Sequence, residues 1–244
     1  EILSHIHHAI IRRVYELCLD EMTAEGMTMP DIRHCFLIMG SAGRREMLLQ
    51  PDQDNGFIYE NFDDERQGEV DAFFVPFSEK LNMALDRVGY PLCDGGVMAR
   101  NCEWRGRLVD WQERINSWLL DPEPIHVRSS SIFFDFLPLM GDLELAHDLR
   151  EIVARGIETH QGFLYHMMTL DLRYKVPLGL LGRFSVEKEG DNAGMLSVKY
   201  GGCVYIVDCI RMFALERGIQ AISTMERLQA LVTQNVFALE TAEH

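Results

Sequence analysis

The sequence contains no apolar run approaching the roughly 20 residues that a membrane-spanning helix requires, so a soluble chain is expected. Its first thirty residues lack the basic start and unbroken apolar stretch of a signal peptide. The chain opens on Glu rather than Met, and the expectation is a fragment of a longer protein. Six scattered cysteines (Cys18, Cys35, Cys93, Cys102, Cys203, Cys209) form no CxxC pair and no metal-ligand spacing, which leaves buried thiols and a cytoplasmic location as the plainer reading. Basic residues are in short supply. With 23 Lys and Arg against 38 Asp and Glu, the net charge is −15, and long-range steering repels nucleic acid rather than gathering it. A small phosphorylated substrate carried with metal ions escapes that objection, because the metal supplies the missing positive charge. Repeats and low-complexity tracts are absent from the sequence, whose 244 residues are 47% hydrophobic and 25% charged, enough for one large or two modest cores.

Hydrophobic spacing divides the chain in two. Ile6, Ile10, Val14 and Leu17 recur at helical intervals and predict an amphipathic helix to about Leu19, read as a linker over residues 1–30. The run Cys35 to Met39 suits a buried strand ending at Gly40. A short helix is expected from Ser41 to Leu49, closed by Pro51, and a second strand from Asp54 to Tyr59. The acidic residues from Asp63 to Asp71 read as a solvated helix start, with the helix continuing from Phe73 to Val88. A helix is also expected from Trp104 to Leu120 with Trp111, Ile115 and Trp118 inward, and a central strand from Ser131 to Leu139. Long 3.6-period segments then run Leu143 to Glu158, Phe163 to Lys175, Val204 to Arg217 and Met225 to Ala238. The predicted division is a catalytic domain over 31–144 and a helical domain over 145–244.

The chemistry concentrates between Gly40 and Asp54. Alternate residues of an extended strand share a face, so Asp52 and Asp54 would project together with Cα atoms about 7 Å apart. Two carboxylates so placed can share divalent cations, and in two-metal phosphoryl transfer the ions sit about 3.5–4 Å apart. Hard oxygen ligands suit Mg²⁺ or Mn²⁺. Asp135 is the preferred third ligand, because a bare charge in the apolar stretch Ile132 to Leu137 would be costly unless paired or metal-bound; Asp142, after Gly141, is the weaker choice. Gly40 and Ser41 lie where a strand gives way to a helix and can hold a triphosphate, with Arg44 and Arg45 supplying guanidinium groups for its oxygens. Glu46 either orients one of those arginines or faces solvent. Gly-Ser alone and Asp-x-Asp alone are both common, but the pair with 11 positions from Ser41 to Asp52 favours a nucleoside-triphosphate site.

These residues resemble a family. Gly40-Ser41-Ala42-Gly43-Arg44-Arg45-Glu46 followed by Asp52-Gln53-Asp54-Asn55 is similar to the nucleotidyltransferase domain that accompanies cyclic-nucleotide-binding and CBS modules in bacterial signalling proteins. That domain is related to the uridylyltransferase of the PII nitrogen-signalling protein, within the polymerase-β-like superfamily. The likeness extends to Gly95 through Asn101 with Trp104 and Arg105, to Phe134-Asp135-Phe136 with Gly141-Asp142, and to Lys199-Tyr200-Gly201-Gly202 with Ile206-Val207-Asp208. It implies an α+β fold, a mixed sheet with flanking helices followed by an all-helical C-terminal domain that roofs the nucleotide cleft. It also implies that Lys199 reaches the triphosphate and that Asp208 supports it. Gln53 stands where most of the superfamily places an apolar residue, and Phe136-Leu137 where an arginine often follows.

Other clusters carry less. His5, His7 and His8 lie on the first helix without an acidic partner at ligand spacing and read as structural or solvent-facing, and Ser129 to Ser131 lack a nucleophile-elbow setting. Arg100 and Arg105 are open between nucleotide, partner and structure. The reading is a metal-dependent nucleotidyltransferase acting on an acceptor, by analogy a protein. The alternative is a non-catalytic nucleotide-binding module that reports to regulatory domains of the same chain.

Overall fold

The computed structural model describes residues 2–49, 51–172, 186, 194–196 and 198–243; for residues 171, 199, 200 and 243 it describes the backbone only. The first half runs α1 (Ile2–Ala24), β1 (His34–Ile38), the single-turn helix α2 (Gly40–Gly43), β2 (Asn55–Tyr59) and α3 (Gln67–Arg87). It continues with β3 (Arg105–Arg107), α4 (Leu108–Leu120), α5 (Pro124–Phe133), β4 (Leu137–Gly141) and α6 (Leu143–Thr159). The second half contributes α7 (Gly162–Asp171), a π-helical turn at Lys199–Cys203, α8 (Val204–Glu216), α9 (Thr224–Thr233) and α10 (Leu239–Glu243). No described helix is long and apolar enough to cross a membrane.

The four strands lie in the order β3-β2-β1-β4, with β1 antiparallel to β2 and β4, and β2 parallel to β3. β1 is central, which is why its sequence is apolar on both faces rather than alternating. Phe36 and Ile38, with Phe57 and Tyr59, pack on one side against Tyr15 of α1 and Phe74, Phe77 and Leu81 of α3. Cys35, Leu37 and Met39, with Ile58, face the other side, where Trp111 and Ile115 of α4, Phe133 of α5 and Leu145, Leu149 and Val153 of α6 meet them. This is the α+β sheet with flanking helices that the family resemblance implies.

Several elements differ from the sequence reading. α1 is a wall of the core rather than a linker. Its buried face is Ile11, Val14, Tyr15, Cys18 and Met22, whereas Ile6, Ile10 and Leu17 are exposed. Both stripes have helical spacing, and the buried one is carried partly by Ser4, His7 and His8, which hydrophobicity does not flag. The stretch Ser131 to Leu139 is the end of a helix, a turn and a strand. Pro124 occupies the first turn of α5, where its missing N–H costs nothing, and the chain then turns through a Phe136 N–H to Phe133 carbonyl bond of 2.9 Å before β4 begins. The helix expected from Trp104 starts at Leu108. Trp104 sits just before β3, yet its ring still lies 6.2 Å from Trp111 and 6.1 Å from Trp118. α6 was expected in the helical half, but its apolar face packs on the sheet, and α7 adds Phe163 and Met167 to the same core. The α7 helix was expected to reach Lys175, a position outside the described residues.

Candidate active site

The Asp-x-Asp corner owes its shape to the residues between and behind the carboxylates. Asp52 is exposed and Asp54 half-buried, while Gln53 and Asn55 turn inward and are buried. The inward amides meet Asn82 of α3. Gln53 Nε2 donates to the carbonyls of Asn82 (3.0 Å) and Tyr90 (2.9 Å). Asn82 Nδ2 donates to Gln53 Oε1 (2.8 Å) and Asn55 Oδ1 (2.9 Å). Asn55 Oδ1 and Asn82 Oδ1 then accept the backbone N–H groups of Ala99 and Arg100, each at 2.9 Å. A buried amide left without partners costs about 1–3 kcal/mol, so the network fixes the register in which 52 and 54 face outward. It also accounts for Gln53 in a position where an apolar residue would otherwise suffice.

The Asp-x-Asp carboxylates share their corner with Cys93. One ligand atom from each of Asp52, Asp54 and Cys93 lies within 4.8 Å of the other two. Burial, followed by the Asp54 charge, pushes the Cys93 thiol up to about 11, and the thiol is hydrogen-bonded to Asp54. The carboxylates suit a hard divalent cation, whose remaining positions substrate oxygens and water can fill. Gly40 completes the corner. Its φ is +55°, and a Cβ there would stand 2.8 Å from Asp54 Oδ2, so only glycine lets the backbone and that carboxylate approach.

The loop after Gly40 is pinned from three sides. α2 ends after one turn, short of the helix expected to Leu49, because Arg45 adopts φ +62°. From α1, Ser4 Oγ donates to the Arg45 carbonyl (2.5 Å), while His8 Nε2 bonds the Ala42 carbonyl (3.0 Å) and His7 Nε2 the Leu48 carbonyl (3.1 Å). His7 and His8 are thus structural. Glu46 orients Arg44 through Nε at 2.7 Å and accepts the Thr224 N–H, at the start of α9, at 2.7 Å.

Asp135 lies elsewhere. Its carboxylate is fully buried and bonded by three guanidinium groups: Arg44 Nη1 at 2.6 Å, Arg211 Nη2 at 2.6 Å and Arg227 Nη1 at 2.6 Å. Burial alone would raise its pKa, but Arg211, Arg227 and Arg44 together hold it well below the usual carboxylate range. Arg211 and Arg227 come from α8 and α9, so the cage ties the helical half to the sheet. A Cβ on Gly43 would fall 1.7 Å from the Asp135 carbonyl oxygen, so this glycine admits the α5–β4 turn.

A cleft of about 800 Å³ opens over the corner, with Gly40, Ser41, Asp52 and Asp54 on one wall and Leu170, Val207 and Asp208 of the helical half on the other. Residues 1–125 match the family described as "Putative nucleotidyltransferase DUF294". The chain belongs to this family. Residues 161–244 match its companion, "Putative nucleotidyltransferase substrate binding domain". A search of curated proteins returned no match.

Against this nucleotidyltransferase frame, Gly40, Ser41, Arg44, Asp52, Asp54 and Asp208 all line the cleft. Arg45 does not: it is exposed and pairs with Glu226 at 3.7 Å. Asp135, expected beside Asp52 and Asp54, is in the arginine cage instead. Asp142 caps α6 by accepting the Glu144 N–H at 2.9 Å and pairs with Arg33. Arg100 pairs with Glu79, and Arg105 bonds the carbonyls of Ala99 and Arg100, so both serve the loop. The Lys199 side chain lies outside the described residues. Sequence reasoning missed Asn82, which nothing distinguishes within its helix. It also missed Cys93, whose position two residues before the Gly95-Gly96 loop was the available signal.

Proposed function

We propose that this nucleotidyltransferase-family chain transfers a nucleoside monophosphate from a nucleoside triphosphate to an acceptor hydroxyl and releases pyrophosphate. The observation that carries the reading is the outward pair Asp52 and Asp54 at the rim of a cleft whose opposite wall comes from the substrate-binding helices. In the reaction the acceptor oxygen bonds to the α-phosphorus, the bond from that phosphorus to the pyrophosphate oxygen breaks, and the hydroxyl proton leaves to solvent or a carboxylate. Asp52 and Asp54 would hold Mg²⁺ or Mn²⁺, which supplies charge neutralisation of the triphosphate and activation of the acceptor oxygen. Gly40 keeps Asp54 in place, Ser41 offers its hydroxyl to phosphate oxygens, and the helical wall with Asp208 faces the acceptor. The acceptor class best suited to a signalling role is a protein side chain, with further domains of the chain as regulators.

One observation favours a second reading, a nucleotide-binding module without turnover: Asp135 is consumed by arginines rather than standing with the metal pair. Incubating the protein with Mg²⁺ or Mn²⁺, each of four labelled triphosphates and a cell extract separates the two. Labelled acceptor and pyrophosphate are expected. Binding with no pyrophosphate under any combination would leave the regulatory reading.

A further inference from the structure

The charge around the cleft poses a problem that the proposed reaction must solve. Asp52, Asp54, Asp94 and Asp208 all line it, in a chain of net charge −15. A triphosphate brings more negative charge than the cations at two carboxylates cancel. Three arginines line the same cleft, Arg44, Arg128 and Arg211. Arg44 is held by Glu46 at 2.7 Å and Asp135 at 2.6 Å. Arg211 is held by Asp135 at 2.6 Å and by Asp208. Arg128 is exposed and makes no ion pair or hydrogen bond among the described residues.

Its position is also set by the fold. Val127, Ser130 and Phe133 anchor α5 in the core, which turns Pro124, Arg128 and Ser131 toward the cleft at helical spacing. A Cβ built on Gly95 would meet Arg128 Nη2 at 3.3 Å and Cys93 Sγ at 3.5 Å, so the guanidinium and the thiol beside Asp54 flank the same glycine. We propose that Arg128 is the phosphate-binding cation of the cleft, gripping the leaving pyrophosphate portion of the triphosphate through paired N–H donors. This rests on the nucleotidyl-transfer reading above. A planar guanidinium fits two phosphate oxygens at once, and one that is already exposed gives up little solvation to do so.

Inorganic tripolyphosphate with Mn²⁺ tests the idea without knowledge of the base. Titration calorimetry should show that Arg128→Ala weakens metal–tripolyphosphate binding about tenfold to a hundredfold. Arg128→Lys should restore part of the loss, and Mn²⁺ binding without the polyphosphate should be unchanged or slightly tighter. Asp52→Asn with Asp54→Asn should abolish Mn²⁺ binding. If wild type binds metal–tripolyphosphate and Arg128→Ala binds it equally, or if Arg128→Ala loses Mn²⁺ binding as well, the assignment of Arg128 is overturned while the cleft reading stands. If wild type binds neither tripolyphosphate nor any nucleoside triphosphate with metal, both fall together.

Discussion

Asp52 with Asp54 and Asp135 are the same functional group in opposite surroundings. The first two stand at the rim of the cleft, turned outward by the buried amides of Gln53, Asn55 and Asn82. Asp135 is sealed from solvent and surrounded by Arg44, Arg211 and Arg227. A carboxylate in apolar sequence must be neutralised somehow, by metal or by cation, and here the cation won. The cost of burying one anion with three arginines is recovered in joining two halves of the molecule, since each half contributes part of the cage. The rim carboxylates are available to a ligand for the same reason that they add little to stability.

The contrast breaks most readily at Asp135. Asp135→Ala would leave the buried Arg227 without a carboxylate partner and Arg44 and Arg211 with only Glu46 and Asp208, a loss of about 3–5 kcal/mol in denaturant unfolding. A folded variant of undiminished stability that loses Mn²⁺ binding would return Asp135 to the metal. The same carboxylate shapes the acid limb. Its pKa is lower folded than unfolded, so its contribution is complete above the unfolded value of about 3.9 and is lost as pH falls through the folded one. Wild type should lose stability below pH of about 4 more steeply than Asp135→Asn does, as read by stability against pH.

At the rim the effects are smaller and fall on binding. Asn82→Leu strips partners from buried amides and should lower stability by about 1–3 kcal/mol, while weakening Mn²⁺ binding with every carboxylate still present. Gly40→Ala adds a Cβ at φ +55° against Asp54 Oδ2. It should cost about 1–2 kcal/mol and displace that carboxylate, visible as weaker Mn²⁺ binding by calorimetry. The double change Asp52→Asn with Asp54→Asn should leave the melting temperature unchanged or slightly raised, because neighbouring anions lose their repulsion. A marked destabilisation would mean that these side chains are structural after all.

Much of the fold was legible in the residues. The apolar run before Gly40 gave the central strand, and the 3.6-period segments gave the helices of the second half. What misled were short apolar stretches whose period is ambiguous: Ser131 to Leu139 is helix, turn and strand, and α1 buries a different face from its isoleucine stripe. The carboxylate corner was legible because Asp-x-Asp and Gly-Ser are local patterns. Arg44 lines the cleft, but its engagement with Asp135 was not visible in the sequence, since the two lie 91 positions apart in the chain. Asn82 and Arg128 were invisible for the same reason, as each gains meaning only from residues far away in sequence.

The sequence by itself determined the family, the strand and helix periods and the two carboxylates that share one edge, all of which depend on neighbours within a few residues. Tertiary structure decided that Asp52 and Asp54 face the cleft while Asp135 faces arginine, because that choice depends on what α8 and α9 bring to the turn before β4. An Asp in apolar sequence demands a partner, and only the fold could say that three arginines would supply it.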